Sequence, residues 1–222
     1  PSGYVPEAQQ WQELGDYLRQ KDWWIFSDEI YEYFNFFNDR KHLSPLNINP
    51  DLRQQTVIFN GMSKGFGMTG WRVGYALGAK QIISQIKKLQ SQSTTCLPSF
   101  VEEAAAAALR GGYELVRAQI NAIEAKCVMA LKTLADVAEI SFIQPAGAFF
   151  VFIRLPAWLQ KSETPTALLF SKWLLHNYKV VVVPGEGFGV DNHIRVSCGA
   201  NADDLAVGLE LLATSLKKLK HD

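Results

Sequence analysis

Apolar residues recur at helical spacing over residues 7–20 (Ala8, Trp11, Leu14, Leu18), which predicts a first amphipathic helix. The unbroken apolar run Trp23-Trp24-Ile25-Phe26 predicts a fully buried strand, ended by Ser27, Asp28 and Glu29. Residues 31–55 mix aromatics, Asn and Pro and read as a long excursion holding one short helix. A second buried strand is expected at 56–59, then a glycine-rich loop, then a third strand at 72–77. Ile82, Ile83, Ile86 and Leu89 give 80–90 a helical face, and Pro98 sits at the first turn of another helix. Gly111-Gly112 interrupts that helix, which continues to about Val137.

Strands that are continuously apolar and alternate with helices predict an α/β fold built on part of a mostly parallel sheet flanked by helices. After 137 the texture changes. Strands are expected at 139–143, 148–154, 180–183 and 193–197, with helices at 167–178 and 202–217. These form a second, smaller α/β domain. The expected division is a large-domain part at 1–112 and a linking helix with the small domain at 113–222.

Composition adds limits. The 222 residues are 48% apolar, enough for a real core, and 22 basic side chains balance 22 acidic ones. That balance gives no sign of a nucleic-acid or membrane-surface partner. Apolar runs are too short to span a bilayer. Cys96, Cys127 and Cys198 form no CxxC pair and no disulfide framework, which fits a reducing cytosol; Cys96 and Cys127 are expected in helices as small core residues. The opening Pro1-Ser2-Gly3, without Met or a leader-like segment, reads as a cut inside a longer sequence.

The candidate chemistry centres on Lys64, in Asn60-Gly-Met-Ser-Lys-Gly-Phe-Gly-Met-Thr-Gly-Trp-Arg72-Val-Gly. A lysine lifted off a strand end into a glycine-crowded loop is placed as a nucleophilic amine that can hold a carbonyl compound as a Schiff base. In an open parallel sheet, ligands bind beyond the carboxyl ends of the strands. Asp28 ends the first buried strand and Lys64 follows the second, so both can face one crevice, with Tyr31 three residues further on. Ser63, the loop N–H groups and Arg72 supply donors for an anion. An amine, a carboxylate, a phenol and an anion cradle are the groups pyridoxal phosphate needs.

On these residues the chain resembles the class I/II aminotransferases, the fold-type I pyridoxal-phosphate enzymes. The resemblance is carried by Asp28-Glu29-Ile30-Tyr31 and by Ser63-Lys64 followed by Gly70-Trp71-Arg72-Val73-Gly74. Further likeness lies in Pro1-Ser2-Gly3, in Ile194-Arg195-Val196-Ser197, and, for the aspartate-aminotransferase-like branch, in Gln90-Ser91-Gln92-Ser93-Thr94-Thr95 and Pro145-Ala146-Gly147-Ala148-Phe149. The resemblance implies that Lys64 holds the cofactor as an internal aldimine and moves the substrate proton. It implies that Asp28 keeps the ring nitrogen protonated, that Tyr31 bonds the ring oxygen, that Ser63 and Arg72 hold the phosphate, and that Arg195 grips the substrate α-carboxylate. It also implies amino-acid and 2-oxo-acid substrates, a cytoplasmic homodimer, and a chain amounting to the C-terminal half of such an enzyme. Gly61 stands where some members have a second phosphate-binding serine.

Rival readings keep the fold and change the chemistry: a carbon–sulfur lyase or cyclopropane-forming synthase on the same cofactor, a non-catalytic regulator with an aminotransferase-like domain, or an inert fragment. Ser84-Gln-Ile-Lys87 matches SxxK but lies in an amphipathic helix without companion motifs. Gly185-Glu-Gly-Phe-Gly189 precedes a strand, not a helix, and reads as a turn. Arg154 is taken as structural. His42, His176, His193 and His221 show no ligand spacing, so no metal site is expected.

Overall fold

The computed structural model describes residues 1–36 and 42–221. They form two compact units: one of residues 5–120, the other of residues 1–4 together with those from Asn121 onward. The divide at 120/121 lies eight residues past Gly112 (112 to 120), inside a continuous helical stretch.

In the first unit α1 (Ala8–Leu18) begins at a capping box, in which Glu7 and Gln10 satisfy each other's backbone N–H groups. β1 (Ile25–Asp28) follows, then α2 (Pro45–Ile48), whose Ser44 cap and Pro45 explain why the excursion forms a helix there. β2 (Thr56–Gly61), β3 (Gly74–Gly78), α3 (Lys80–Ser93) and the part of α4 (Ser99–Ala135) up to Ile120 complete it, the rest of α4 belonging to the second unit. The sheet order is β1-β2-β3, with β1 parallel to β2 and β3 antiparallel to β2. α4 bends at Gly112, whose φ of 56° and ψ of −149° are non-helical, as the glycine pair predicts.

Two expectations fail here. The strand covers 25–28, not 23–26, and it alternates instead of being buried throughout. Trp23, Trp24 and Phe26 are 54%, 46% and 63% exposed. The reason is position: β1 pairs with β2 alone, so one edge has no strand beside it among the described residues. Cys96 is exposed in irregular backbone between α3 and α4, because α3 has already ended at Ser93; Cys127 is buried as expected.

In the second unit β4 (Ser141–Phe142), β5 (Phe150–Arg154), β6 (Val183–Pro184) and β7 (His193–Ser197) form an antiparallel sheet in the order β4-β5-β7-β6. α5 (Ala167–Tyr178) and α6 (Ala202–His221) complete it. α5 is capped by Thr166, whose hydroxyl accepts from Leu169 N at 3.2 Å. Leu205, Leu209, Leu212, Leu216 and Leu219 make one buried face of α6 at alternating spacings of four and three. Phe170 and Leu174 of α5 and Ile153 and Ile194 of the sheet are fully buried. Phe170→Ala is expected to cost about 3–5 kcal/mol, read as a fall in the urea midpoint of unfolding.

Candidate active site

The loop carrying Lys64 is the connection of an antiparallel pair, and backbone contact closes it. Gly61 lies opposite Gly74 in the register. A Cβ on Gly61 would meet the Val73 carbonyl at 2.9 Å, and one on Gly74 would meet the Asn60 carbonyl at 2.9 Å. Only glycine permits that approach. Beyond it, Met62 N donates to Val73 O at 3.2 Å, and Met62 and Val73 are buried with Val101, Ala105 and Ala108 of α4. The last pair of the ladder is Gly61 with Gly74 and the Met62–Val73 bond closes the loop, so Ser63 and Arg72 each stand one residue beyond that closure.

Ser63 and Arg72 thus flank the mouth of the hairpin, with Lys64 next in line. The loop turns back on itself through Gly67 N to Lys64 O at 3.2 Å and Met68 N to Met62 O at 3.2 Å. Arg72 adopts left-handed backbone (φ 54°, ψ 46°), a conformation that costs a non-glycine residue about 1 kcal/mol and gathers at functional sites. Its exposed guanidinium donates to Thr69 O at 3.0 Å.

Because β1 runs parallel to β2, with Asp28 beside Phe59, Asp28 ends at the same edge of the sheet. Its side chain is exposed and accepts from Ile30 N at 3.3 Å. Tyr31 is half-buried in the turn just beyond, its ring edge-on to Phe34 at 6.1 Å. Tyr33 joins this turn to the lysine loop: its ring would lie 2.5 Å from a Cβ on Gly65 and is 5.1 Å from the Phe66 ring. Asp28, Tyr31, Ser63, Lys64 and Arg72 are therefore gathered at one end of the first unit's sheet.

Behind this edge sits a group that sequence reasoning passed over. Glu29 is 7% exposed and accepts from Ser27 Oγ (2.9 Å) and Ser44 Oγ (2.7 Å), with His42 Nε2 at 2.8 Å. Burial pushes its pKa up, but the bonds from His42, Ser44 and Ser27 outweigh burial and leave it below the usual carboxylate range. The available signal was an acidic residue just past a strand end, in step with the strand's inward-facing positions. Burial also raises Glu32, and Tyr75 is pushed up to about 12 by burial first and then by Glu32, Tyr33 and Glu29.

Arg195 lies in the second unit, on β7 opposite Phe152 of β5. Its guanidinium carbon is 4.2 Å from the centre of the Phe150 ring and 4.7 Å from that of Phe188, a cation–π sandwich. Its Nε is buried and has no hydrogen-bond partner among the described residues. A planar donor held flat by two rings, with polar capacity unspent, suits a carboxylate. Phe188 comes from the turn Gly185–Phe188, where a Cβ on Gly185 would strike the Val190 carbonyl. In the same unit Gly3 O accepts from Ala146 N (2.8 Å) and Gly147 N (2.9 Å), so two segments singled out separately in the sequence meet. Neither the aromatic sandwich nor this pairing carries a periodic signal in the sequence.

Among the described residues no cluster of three His, Cys, Asp or Glu could hold a metal ion, and no helix is long and apolar enough to cross a membrane. The model for the family "Aminotransferase class I and II" matches residues 1–212. The chain is 35% identical over 210 residues to aspartate aminotransferase of Geobacillus stearothermophilus, covering 95% of this chain and 53% of that protein. It is 30% identical to the probable aspartate/prephenate aminotransferase of Aquifex aeolicus, covering 99% of this chain and 55% of that protein. Among solved structures, aspartate aminotransferase from Rhizobium meliloti superposes with a TM-score of 0.90 at 29% identity, covering 99% of this chain and 56% of that one. The aromatic aminotransferase from Pyrococcus horikoshii gives 0.88 at 29% identity, covering 98% and 57%. The chain spans about half the length of the relatives it matches.

The Tyr75 environment yields a pH prediction. A phenol whose folded pKa is raised contributes stability that is intact below its ordinary value of 10.0 and is lost as pH climbs toward about 12. Tyr75→Phe is therefore expected to flatten the fall in thermal stability between those limits, and spectrophotometric titration should show one tyrosine fewer ionising at the alkaline end.

Proposed function

This chain belongs to the class I and II aminotransferases, a family of pyridoxal-phosphate enzymes, and from that premise we propose that the protein moves an amino group between an L-amino acid, aspartate first among candidates, and a 2-oxo acid. The observation that carries the proposal is the convergence of Asp28, Ser63, Lys64 and Arg72 at one end of the β1-β2-β3 sheet. These residues fit the cofactor. The hairpin mouth carries a hydroxyl and a guanidinium, each one residue beyond its closing pair, as donors for a phosphate, and glycines leave room where a Cβ at 65 would crowd Tyr33.

Pyridoxal phosphate, when bound, supplies an aldehyde for the amino nitrogen and a ring that takes up the electron pair left at Cα. The chain's own residues do the rest. Lys64 presents its amine for a covalent link to the aldehyde and, once displaced, carries the proton taken from Cα. Asp28 keeps a proton on the ring nitrogen through a charge-assisted hydrogen bond, which holds the ring electron-poor. Tyr31 donates its hydroxyl to the ring oxygen. Ser63 and Arg72 hold the phosphate, and the left-handed backbone at Arg72 aims its side chain. Arg195 takes the substrate's α-carboxylate on the edge that its aromatic sandwich leaves to ligands.

The proposal extends to a homodimer acting in the cytoplasm, as the family resemblance implies; sedimentation of the complete protein tests the assembly. Borohydride treatment of the complete protein with pyridoxal phosphate should give one reduced adduct, at Lys64, and none in Lys64→Arg. An adduct at another lysine would overturn the assignment. Arg195→Gln is expected to raise KM for every α-carboxylate substrate about 10–100-fold, the cost of one charge-assisted bidentate contact, in steady-state assays. Release of ammonia and a 2-oxo acid without an acceptor would assign the site to a lyase instead.

A further inference from the structure

The carboxylate of Glu29 takes hydrogen bonds that none of the roles above employs. It is buried, accepts from two serine hydroxyls and faces His42 Nε2 at 2.8 Å. Burying an anion is costly unless it is fully satisfied, and an apolar side chain would fill the same space without that cost. What an apolar residue cannot do is fix a direction.

The geometry shows which direction is fixed. Side chains alternate along β1 and into the residue after it: Phe26 and Asp28 are exposed, Ser27 is half-buried and Glu29 buried. Ser27 and Glu29, on either side of Asp28 in sequence, are joined to each other through Ser27 Oγ and Glu29 Oε1 at 2.9 Å. The same Oε1 is held by Ser44, and Oε2 faces His42, both on the segment returning from the excursion. Glu29 N donates to Phe59 O at 2.8 Å, so the backbone after Asp28 is also pinned to β2. The residues on either side of Asp28 are thereby tied, Ser27 and Glu29 through their side chains and Glu29 also through its backbone N–H.

We propose that Glu29 is the positioning residue of Asp28: held by Ser27, His42 and Ser44, it fixes the backbone on both sides of Asp28 and with it the direction in which the Asp28 carboxylate projects. The inference rests on the reading of Asp28 as the acidic partner of the cofactor's ring nitrogen. Glu29 acts through Asp28 and touches no reacting group itself.

A double-mutant cycle on the complete protein tests it, with pyridoxal phosphate as the probe and its dissociation constant as the readout. Asp28→Asn is expected to weaken binding about tenfold or more, and Glu29→Gln, which keeps the shape and removes the charge, about five- to tenfold. Glu29→Gln should also move the pH at which the bound cofactor's absorbance changes, in the same direction as Asp28→Asn. In the Asp28→Asn background, Glu29→Gln should cost less than about twofold, because the group it positions has already lost its charge. Equal losses in both backgrounds would overturn the inference and leave the Asp28 reading intact. No effect of Asp28→Asn would overturn that reading and the inference with it. If Glu29→Gln lowers the folded yield, Ser44→Ala takes its place in the cycle under the same criterion; it removes the hydroxyl's bond to Glu29, together with its cap contact to Leu46 N, and leaves the carboxylate charged.

Discussion

The close backbone approach of Gly61 and Gly74 is the constraint on which the lysine site depends. A side chain at either position would meet a carbonyl of the opposite strand at 2.9 Å. With both glycines in place the β2–β3 pairing continues to Met62 and Val73, whose side chains are buried against the first half of α4. That apolar anchor prevents the register from slipping, and a slip of one residue would turn every side chain to the other face. Ser63 and Arg72 are then the residues just beyond the closed pair, and Lys64 follows Ser63 in the loop. Three polar side chains owe their placement to two absent methyl groups and a small apolar cluster.

The two arginines of interest are handled in different ways. Arg72 is exposed, its side chain tied to its own loop at Thr69 O and its backbone left-handed. Arg195 is partly withdrawn from water and laid between the faces of Phe150 and Phe188. Ring faces stabilise the cation without neutralising it, whereas a neighbouring carboxylate would consume the hydrogen-bonding edge a ligand needs. The carboxylate at Glu29 follows the opposite policy. Its acceptor oxygens are spent within the protein, so it stiffens the strand end and leaves the neighbouring Asp28 outside.

Much of this was legible in the chain. The helix at Ala167–Tyr178 and the strand at His193–Ser197 stand where periodicity sets them, because both carry strong patterns between clear turn residues. The break at Gly112 was legible for the same reason: a glycine pair inside a helical pattern is costly unless the backbone leaves the helix. The Trp23–Phe26 run misled, since apolar character marks the capacity to be buried and not the presence of a cover; β1 has β2 on one side alone. Cys96 misled in a similar way, because a small apolar residue next to a helix end gives no sign of which side of the boundary it falls on.

The sequence by itself determined the chemistry on offer: an amine in a glycine loop, a carboxylate at a strand end, a phenol three residues later, and the spacings that tie them to a family. Those are local facts, written in consecutive residues, and the chain cannot express them otherwise. Tertiary structure alone decided which groups are supported and by what. Ser27, Glu29, His42 and Ser44 are scattered along the chain and converge only when the excursion returns to β1, and Phe150 and Phe188 meet over Arg195 only once β5 and the Gly185–Phe188 turn are packed beside β7. Contacts of that kind have no period and no motif, because loop closure, not local propensity, brings their members together.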